Sequence, residues 1–383
     1  MRFPEFIGEW GKTTLGNIGE TFNGLTGKSG ADFGQGSPYI TYKSIFDNSR
    51  IDLSRVELVT ITDQERQKGT QNKVQYGDIF FTTSSETPEE VGMTSVLLDD
   101  IEDCYLNSFC FGYRLYSKEH ILPEYMRFYL RTQGVRKKLF VLAQGSTRFN
   151  ISKGEVMNVS VAIPEIKEQE KIAKFLSLLE ERIDTQIKII EKLESLIRGI
   201  RAGILNSIQS NWVNLSELIK EGVVSLKRGN VIPKFEYSEE FCYPVYSSSV
   251  HNNGLMGYYK SFMFDCEIIS WSIDGGGHFF YRPRHKFSVT NVCGYLELDT
   301  LMFNYRFVCE VLSHQHSKMI FDYQSKAHPS VIDTLYYLPL VPLYMQEKYA
   351  ALFNAIYKKI ETEKYCLKQY EEQKKFLLYN MFI

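Results

Sequence analysis

Two stretches of the chain carry apolar residues at alternating spacings of four and three. The first is Ile172, Leu176, Leu179, Ile183, Ile190, Leu193, Ile197, Ile200 and Ile204; the second is Tyr349, Phe353, Ile356, Ile360, Leu367, Tyr370, Leu377 and Met381. That spacing averages about 3.5 residues, the mark of helices pairing along one seam. No proline falls inside either run, so each is predicted to be an unbroken helix. From Ile172 to Ile204 it would span about 50 Å at 1.5 Å per residue. A polar residue interrupts both seams at the same place, Gln186 and Glu363, and Lys374 interrupts the second again. Antiparallel pairing with Gln186 opposite Glu363 would fix register at some cost in stability.

The two helices belong to an internal repeat. Ile163-Pro164-Glu165-Ile166-Lys167-Glu168-Gln169-Glu170-Lys171 is echoed, one residue shorter, by Val341-Pro342-Leu343-Tyr344-Met345-Gln346-Glu347-Lys348. Each copy reads as a strand, a proline, and a Gln-Glu-Lys first helical turn. Upstream of each lies a segment rich in aromatic, β-branched, Gly, Ser and Asn residues. Trp10 leads through Leu15 and Ile18 to Gly24 in the first, and Trp212 leads through Leu215 and Leu218 to Gly229 in the second. Strand-like runs are predicted at 39–42, 77–81, 243–246 and 266–271, with helices around 123–142 and 301–313. The plan is globule, rod, globule, rod.

Composition narrows this picture to a folded chain of two or three domains. Of 383 residues, 44% are hydrophobic and 23% charged, and a single core stops growing at roughly 250 to 300 residues. A formal charge of −2 gives no global basic field, so a nucleic-acid surface would have to be local or shared with a partner. Cys104, Cys110, Cys242, Cys266, Cys293, Cys309 and Cys366 are scattered and never form a C-x-x-C pair. They read as buried thiols of a reducing cytosol, without structural zinc. The N-terminus lacks an apolar signal region, and Pro339 and Pro342 cut the longest apolar stretch. The expected location is cytoplasmic, with no membrane partner.

The polar residues do not assemble an enzymatic signature. No phosphate-cradling glycine pattern is present; Gly275-Gly276-Gly277 joins two strand-like runs and reads as a tight turn. No Asn-Pro or Asp-Pro dipeptide occurs, which removes the loop with which an amino-methyltransferase grips a flipped base. Glu165-Ile166-Lys167 lacks an acidic partner for a metal-dependent nuclease and reads as a solvated first turn. His314 and His316, two apart on a helix, would point away from each other. No catalytic or metal-binding residue is expected.

What remains are polar loops at strand ends: Thr82, Thr83, Ser84 and Ser85; Ser146, Thr147, Arg148 and Asn150; Ser247, Ser248 and Ser249; Trp271, Ser272, Asp274, Gly276 and His278; Lys326, His328 and Ser330. Short hydroxyls, amides and single cations suit phosphate oxygens and base edges, although each loop alone is also ordinary turn chemistry. Arg66, Lys73, Arg136, Lys137 and Lys138 read as solvated. Only the duplication lifts these loops above background.

In order and duplication, the tryptophan openings, Gly77-Asp78-Ile79-Phe80-Phe81, Tyr243-Pro244-Val245-Tyr246, Ile269-Ser270-Trp271 and the two proline-led Gln-Glu-Lys rods resemble the specificity subunits of Type I restriction-modification systems. The resemblance spans nearly the whole chain. It implies an α+β architecture of two mixed globular target-recognition domains joined by two long antiparallel coiled-coil helices, with a pseudo-twofold internal repeat. The corresponding segments are residues 1–164, 165–209, 210–342 and 343–383.

It further implies a non-catalytic chain that reads the two halves of a bipartite asymmetric site in double-stranded DNA. Two modification (methyltransferase) subunits and two restriction subunits are the implied partners. S-adenosylmethionine, ATP and Mg would then bind those subunits, leaving no cofactor on this chain. Lys43 and Ser44 join the loops above as implied DNA-binding residues. Two other readings compete: a coiled-coil scaffold whose globules bind protein or glycan, and an enzyme with an unrecognised nuclease site. An adjacent modification gene favours the DNA-reading chain, and metal-dependent cleavage by the chain alone favours the nuclease.

Overall fold

A computed structural model describes residues 2–68, 73–233, 240–249, 251–274, 276–319 and 327–382. The chain forms two compact units, Met1–Gln186 with Cys366–Ile383, and Ile187–Tyr365. Helix and strand are mixed in each. The division passes through both long helices, so each unit owns a segment of each.

In the first unit the strands are β1 (Gly11–Thr14), β2 (Gly19–Asn23), β3 (Phe33–Ile40), β4 (Glu57–Val59), β5 (Ile79–Thr82), β6 (Ser84–Ser85), β7 (Thr94–Val96), β8 (Tyr105–Leu106), β9 (Cys110–Leu115), β10 (Phe149–Asn150) and β11 (Ser160–Ile163). They build a four-stranded sheet β2-β9-β5-β7, a three-stranded sheet β4-β3-β8, and the antiparallel ladders β1-β11 and β6-β10. Short helices α1 (Leu15–Ile18), α2 (Tyr42–Asp47), α3 (Asp63–Lys68), α4 (Pro123–Tyr129), α5 (Gln133–Val141) and α6 (Lys153–Met157) precede the long α7 (Ile166–Ser207). Leu15, Phe81, Phe111, Tyr125 and Met126 pack with Ile172 and Leu176 of α7 in one apolar core.

The second unit contains β12 (Trp212–Asn214), β13 (Val224–Arg228), β14 (Tyr243–Tyr246), β15 (Leu255–Tyr259), β16 (Phe264–Ser272), β17 (Phe279–Val289), β18 (Cys293–Leu298) and β19 (Tyr337–Pro339). Its helices are α8 (Leu215–Lys220), α9 (Tyr305–His316), α10 (Pro329–Leu335) and the long α11 (Leu343–Asn380). A six-stranded sheet runs β13-β18-β16-β17-β14-β15, and β12 pairs with β19. Strands β16 and β17 pair antiparallel; of the glycines predicted to turn between them, Gly275 lies outside the described residues.

The long helices pair antiparallel in both units. In the first, Lys374 Nζ lies 2.6 Å from Glu180 and Arg182 Nε donates to Tyr370 Oη at 3.2 Å. In the second, Lys364 Nζ lies 2.8 Å from Glu194, and Arg201 Nη2 donates to Tyr357 Oη at 3.0 Å. Lys374 interrupts the apolar period because Glu180, itself paired with Arg127 of α4, receives it. Gln186 is buried in the first unit, and Glu363 pairs with Lys359 in the second.

The repeat persists at the level of single hydrogen bonds. Leu15 N donates to Val159 O at 3.1 Å and Leu215 N to Tyr336 O at 3.0 Å. The rod glutamines carry the closest correspondence. Gln169 accepts from Leu122 N at 2.9 Å and donates to His120 O and Pro164 O, both at 2.9 Å. Gln346 accepts from Asn304 N at 3.0 Å and donates to Met302 O at 2.9 Å and Val341 O at 2.7 Å. Both are fully buried, and Leu122 and Asn304 are the N-cap residues of α4 and α9. One side chain thus ties the start of each rod to the helix of its globule. The Glu and Lys of the motif are exposed.

Several expectations need correction. The helix predicted over 123–142 is broken: Thr132 is extended and returns its hydroxyl to Tyr129 O, while Arg131 donates to Ile45 O, Asn48 O and Thr94 O. Thr41 caps α2 and ends the 39–42 strand at Ile40. The tryptophans are not equivalent, since Trp10 precedes its ladder and is buried whereas Trp212 lies within its ladder and is exposed. Arg136 is not solvated; it clamps Glu89 O, Val91 O and Gly92 O, and burial pushes it down to about 10. Arg66 is exposed as expected, and Lys73, with help from Ser37, Tyr105 and Arg66, holds the Asp103 carboxyl well below the usual range. Cys242 and Cys266 are exposed; burial raises the Cys104, Cys110 and Cys309 thiols to about 12.

Candidate nucleic-acid interface

In the first unit the predicted loops converge. Ser84 and Ser85 of β6 pair with Asn150 and Phe149 of β10, which brings the Thr82–Ser85 run beside Arg148 and Asn150. Tyr42 Oη donates to Ser84 O at 2.6 Å and so places Lys43 and Ser44 at the same edge. Gly145, at φ +138°, makes the tight turn that lifts Ser146, Thr147 and Arg148 into solvent; a Cβ there would collide with Arg148 O. Asn150 is exposed, with its amide 3.4 Å from Arg148 O.

Not every named side chain reaches the surface. Thr82 is buried, its hydroxyl accepting from Met93 N at 2.9 Å, and Ser85 turns inward to Glu90. Thr83 is half-buried, with its hydroxyl on Phe109 O at 2.6 Å. Lys43 is exposed in a groove also lined by Asp47, Asp52, Glu57 and Arg55, the last paired with Asp52 at 3.3 Å, so carboxylates outnumber cations there.

The second unit repeats the convergence. Ser272 Oγ donates to Ser248 O at 2.7 Å, and Ala327 N donates to Ile273 O at 2.9 Å, joining the 247–249, 271–278 and 327–330 segments. Trp271 and Ser272 are buried, the indole donating to Ala327 O at 2.8 Å, so they support the face from beneath. Ser249, His278, His328 and Ser330 are exposed; Ser247, Ser248, Asp274 and Gly276 are half-buried. His328 caps α10 as Ser152 caps α6. Lys326, like Gly275, lies outside the described residues. Among the described residues no cluster of three or more metal-ligating side chains occurs, and no helix is long and apolar enough to cross a membrane.

The sequence matches the family described as the Type I restriction modification DNA specificity domain over residues 7–195 and again over 213–372. The chain belongs to that family. It carries the DNA specificity domain twice. Among curated relatives, it is 35% identical to the Mycoplasma pneumoniae type I specificity subunit S.MpnORF285P over 121 residues, covering 30% of this chain and 39% of the relative. To S.MpnORF201P of the same organism it is 26% identical over 205 residues, covering 52% and 84%. It spans less than half the length of S.MpnORF285P and of S.MpnORF507P. The crystal structure of a Type I restriction-modification S subunit from M. genitalium superposes with a TM-score of 0.66 at 16% identity, covering 100% of this chain and 98% of that one.

Three features of the specificity chain's faces escaped the sequence. Tyr42 is the link between two loops, which no local pattern signals. Arg282 is buried in β17, stacks 3.7 Å above Tyr246 and donates to Ser270 Oγ and Asn253 O, tying the end of β14 to Asn253. His316 faces His278, with ring centroids 5.1 Å apart, and bonds Tyr336 Oη at 2.9 Å.

Burial, reinforced by the nearby His278, pushes His316 down to about 4, against an ordinary value near 6.5. The folded state therefore holds His316 neutral, and its contribution is present above pH 6.5 and lost as pH falls toward 4. The melting temperature of wild-type protein should drop several degrees more between pH 7 and 5 than that of His316→Gln. Equal drops in calorimetry would refute this.

Proposed function

We propose that the chain reads a split double-stranded DNA site, each unit engaging one half, while the paired helices set the distance between the halves. The reading is supported above all by the duplicated face. In both units a serine- or threonine-bearing loop, a strand-end turn and a helix-capping segment meet, and one bond corresponds between them, Ile151 N to Thr83 O in the first and Ala327 N to Ile273 O in the second; yet the exposed residues differ: Arg148 and Asn150 in one, Ser249, His278 and His328 in the other. A shared scaffold with different side chains suits two half-sites of different sequence. Arginine favours guanine and asparagine favours adenine at base edges.

The chain's near-neutral charge and the carboxylates around Lys43 make a weak phosphate-binding surface, so affinity would be shared with partner subunits. Modification and restriction subunits are the proposed partners, holding S-adenosylmethionine, ATP and Mg between them. The long helices offer surface for such partners, with Leu178, Leu196, Phe376 and Tyr379 all at least half exposed. A solved chain of similar fold, at a TM-score of 0.56 and 14% identity, is described in terms of complex assembly in the type I R-M system.

The test is methylome sequencing of cells carrying this chain with its modification subunit, wild type against Asn150→Ala. One bidentate base contact is worth about 1–3 kcal/mol of discrimination. Asn150→Ala should therefore relax one position of one half of the motif by roughly tenfold and leave the other half unchanged. Relaxation in both halves, or in neither, would refute the assignment.

A further inference from the structure

We infer that Phe109 determines specificity in the first unit by packing its ring against a base of that unit's half-site; the inference rests on the reading just proposed. Phe109 is 63% exposed, and among the described residues it stacks on no other ring. A lone exposed phenylalanine is unremarkable on most surfaces, but this one is rigidly presented. Its N–H is taken by Asn107 Oδ1 at 2.6 Å, and its carbonyl receives both Thr83 N at 3.1 Å and Thr83 Oγ1 at 2.6 Å. Thr83 in turn accepts Ile151 N at 2.9 Å and precedes the ladder that carries Asn150. The ring therefore stands on the candidate face itself.

The second unit contains the same turn with another side chain. Cys110 N donates to Asn107 O and Cys293 N to Thr290 O; Thr83 N donates to Phe109 O and Ile273 N to Val292 O at 3.0 Å. Val292 occupies the place of Phe109 and is half-buried. The backbone device is common to both copies and the apolar projection belongs to one, as expected of a residue that distinguishes one half-site from the other. A phenyl ring on a DNA-reading face can meet a thymine methyl or wedge at a base step, and both are apolar contacts to a base. Its backbone is already fixed by three hydrogen bonds, so contact would order little beyond the ring.

The experiment compares methylomes of wild type, Phe109→Ala and Phe109→Val, each expressed as the full chain with its modification subunit. Thermal unfolding of the purified chains serves as the folding control, and the melting temperatures should agree within about 2 °C, as for a surface substitution. Both variants should become degenerate at one position of the first half, with discrimination there falling about tenfold, while the second half and the spacer stay as in wild type. A split wild-type motif that Phe109→Ala leaves intact at every first-half position overturns the inference and spares the underlying reading. A wild-type motif that is not split overturns both.

Discussion

Replacing Gln346 with leucine is expected to lower the stability of the second unit by about 3–5 kcal/mol. The leucine fills similar volume but strands three backbone groups that Gln346 now satisfies, Asn304 N, Met302 O and Val341 O. Each such group costs on the order of 1–3 kcal/mol when left unpaired. Against a typical total of about 5–15 kcal/mol, that is a large fraction, equivalent to roughly 10 °C in the melting transition of a unit of this size. Gln169→Leu should do the same to the first unit through Leu122 N, His120 O and Pro164 O. Glu347→Ala, one residue along on the exposed side of α11, should stay within about 0.5 kcal/mol. Denaturant unfolding distinguishes them: a loss below about 1 kcal/mol for Gln346→Leu would contradict the clamp.

The same glutamines show what could be read from residues alone. Their recurrence was visible, because a repeat is a property of the sequence. So were the rods, because a 3.5-residue period sustained over nine apolar positions lays one continuous stripe along a helix and along no other regular element. The role of the glutamine was not visible. It depends on carbonyls more than forty residues away in the chain, His120 and Met302, and first-turn Gln, Glu and Lys look equally solvated until burial separates them. Lys374 follows the same logic: it breaks the apolar period, and only its proximity to Glu180 accounts for it.

The candidate faces were legible in outline and not in detail. Strand-end loops rich in hydroxyls were identifiable from turn chemistry, yet Thr82, Trp271 and Ser272 are enclosed, because the ends of β5 and β16 are covered on both faces. Tyr42, Phe109 and Arg282 were missed because their roles come from contacts across the fold. Of the two tryptophan openings, the match of Leu15 with Leu215 holds, fixed by their bonds to Val159 O and Tyr336 O, and only the tryptophans themselves are not equivalent.

The second large effect concerns spacing. A four-residue block added to a helix lengthens it by about 6 Å and turns it by about 40°. One base pair of B-DNA advances about 3.4 Å and turns about 34°. Matched four-residue insertions between Gln186 and Ile187 and between Tyr365 and Cys366, where the division between units crosses α7 and α11, keep the helices paired while carrying one reader further along the duplex. The measurement is the adenine-methylation motif of cells carrying this variant with its modification subunit, set beside that of wild type. A split motif whose two halves are unchanged and whose intervening gap has grown by one or two base pairs is the predicted result. An unchanged gap, or halves that themselves change sequence, would contradict the claim that the paired helices set the distance between two independent readers.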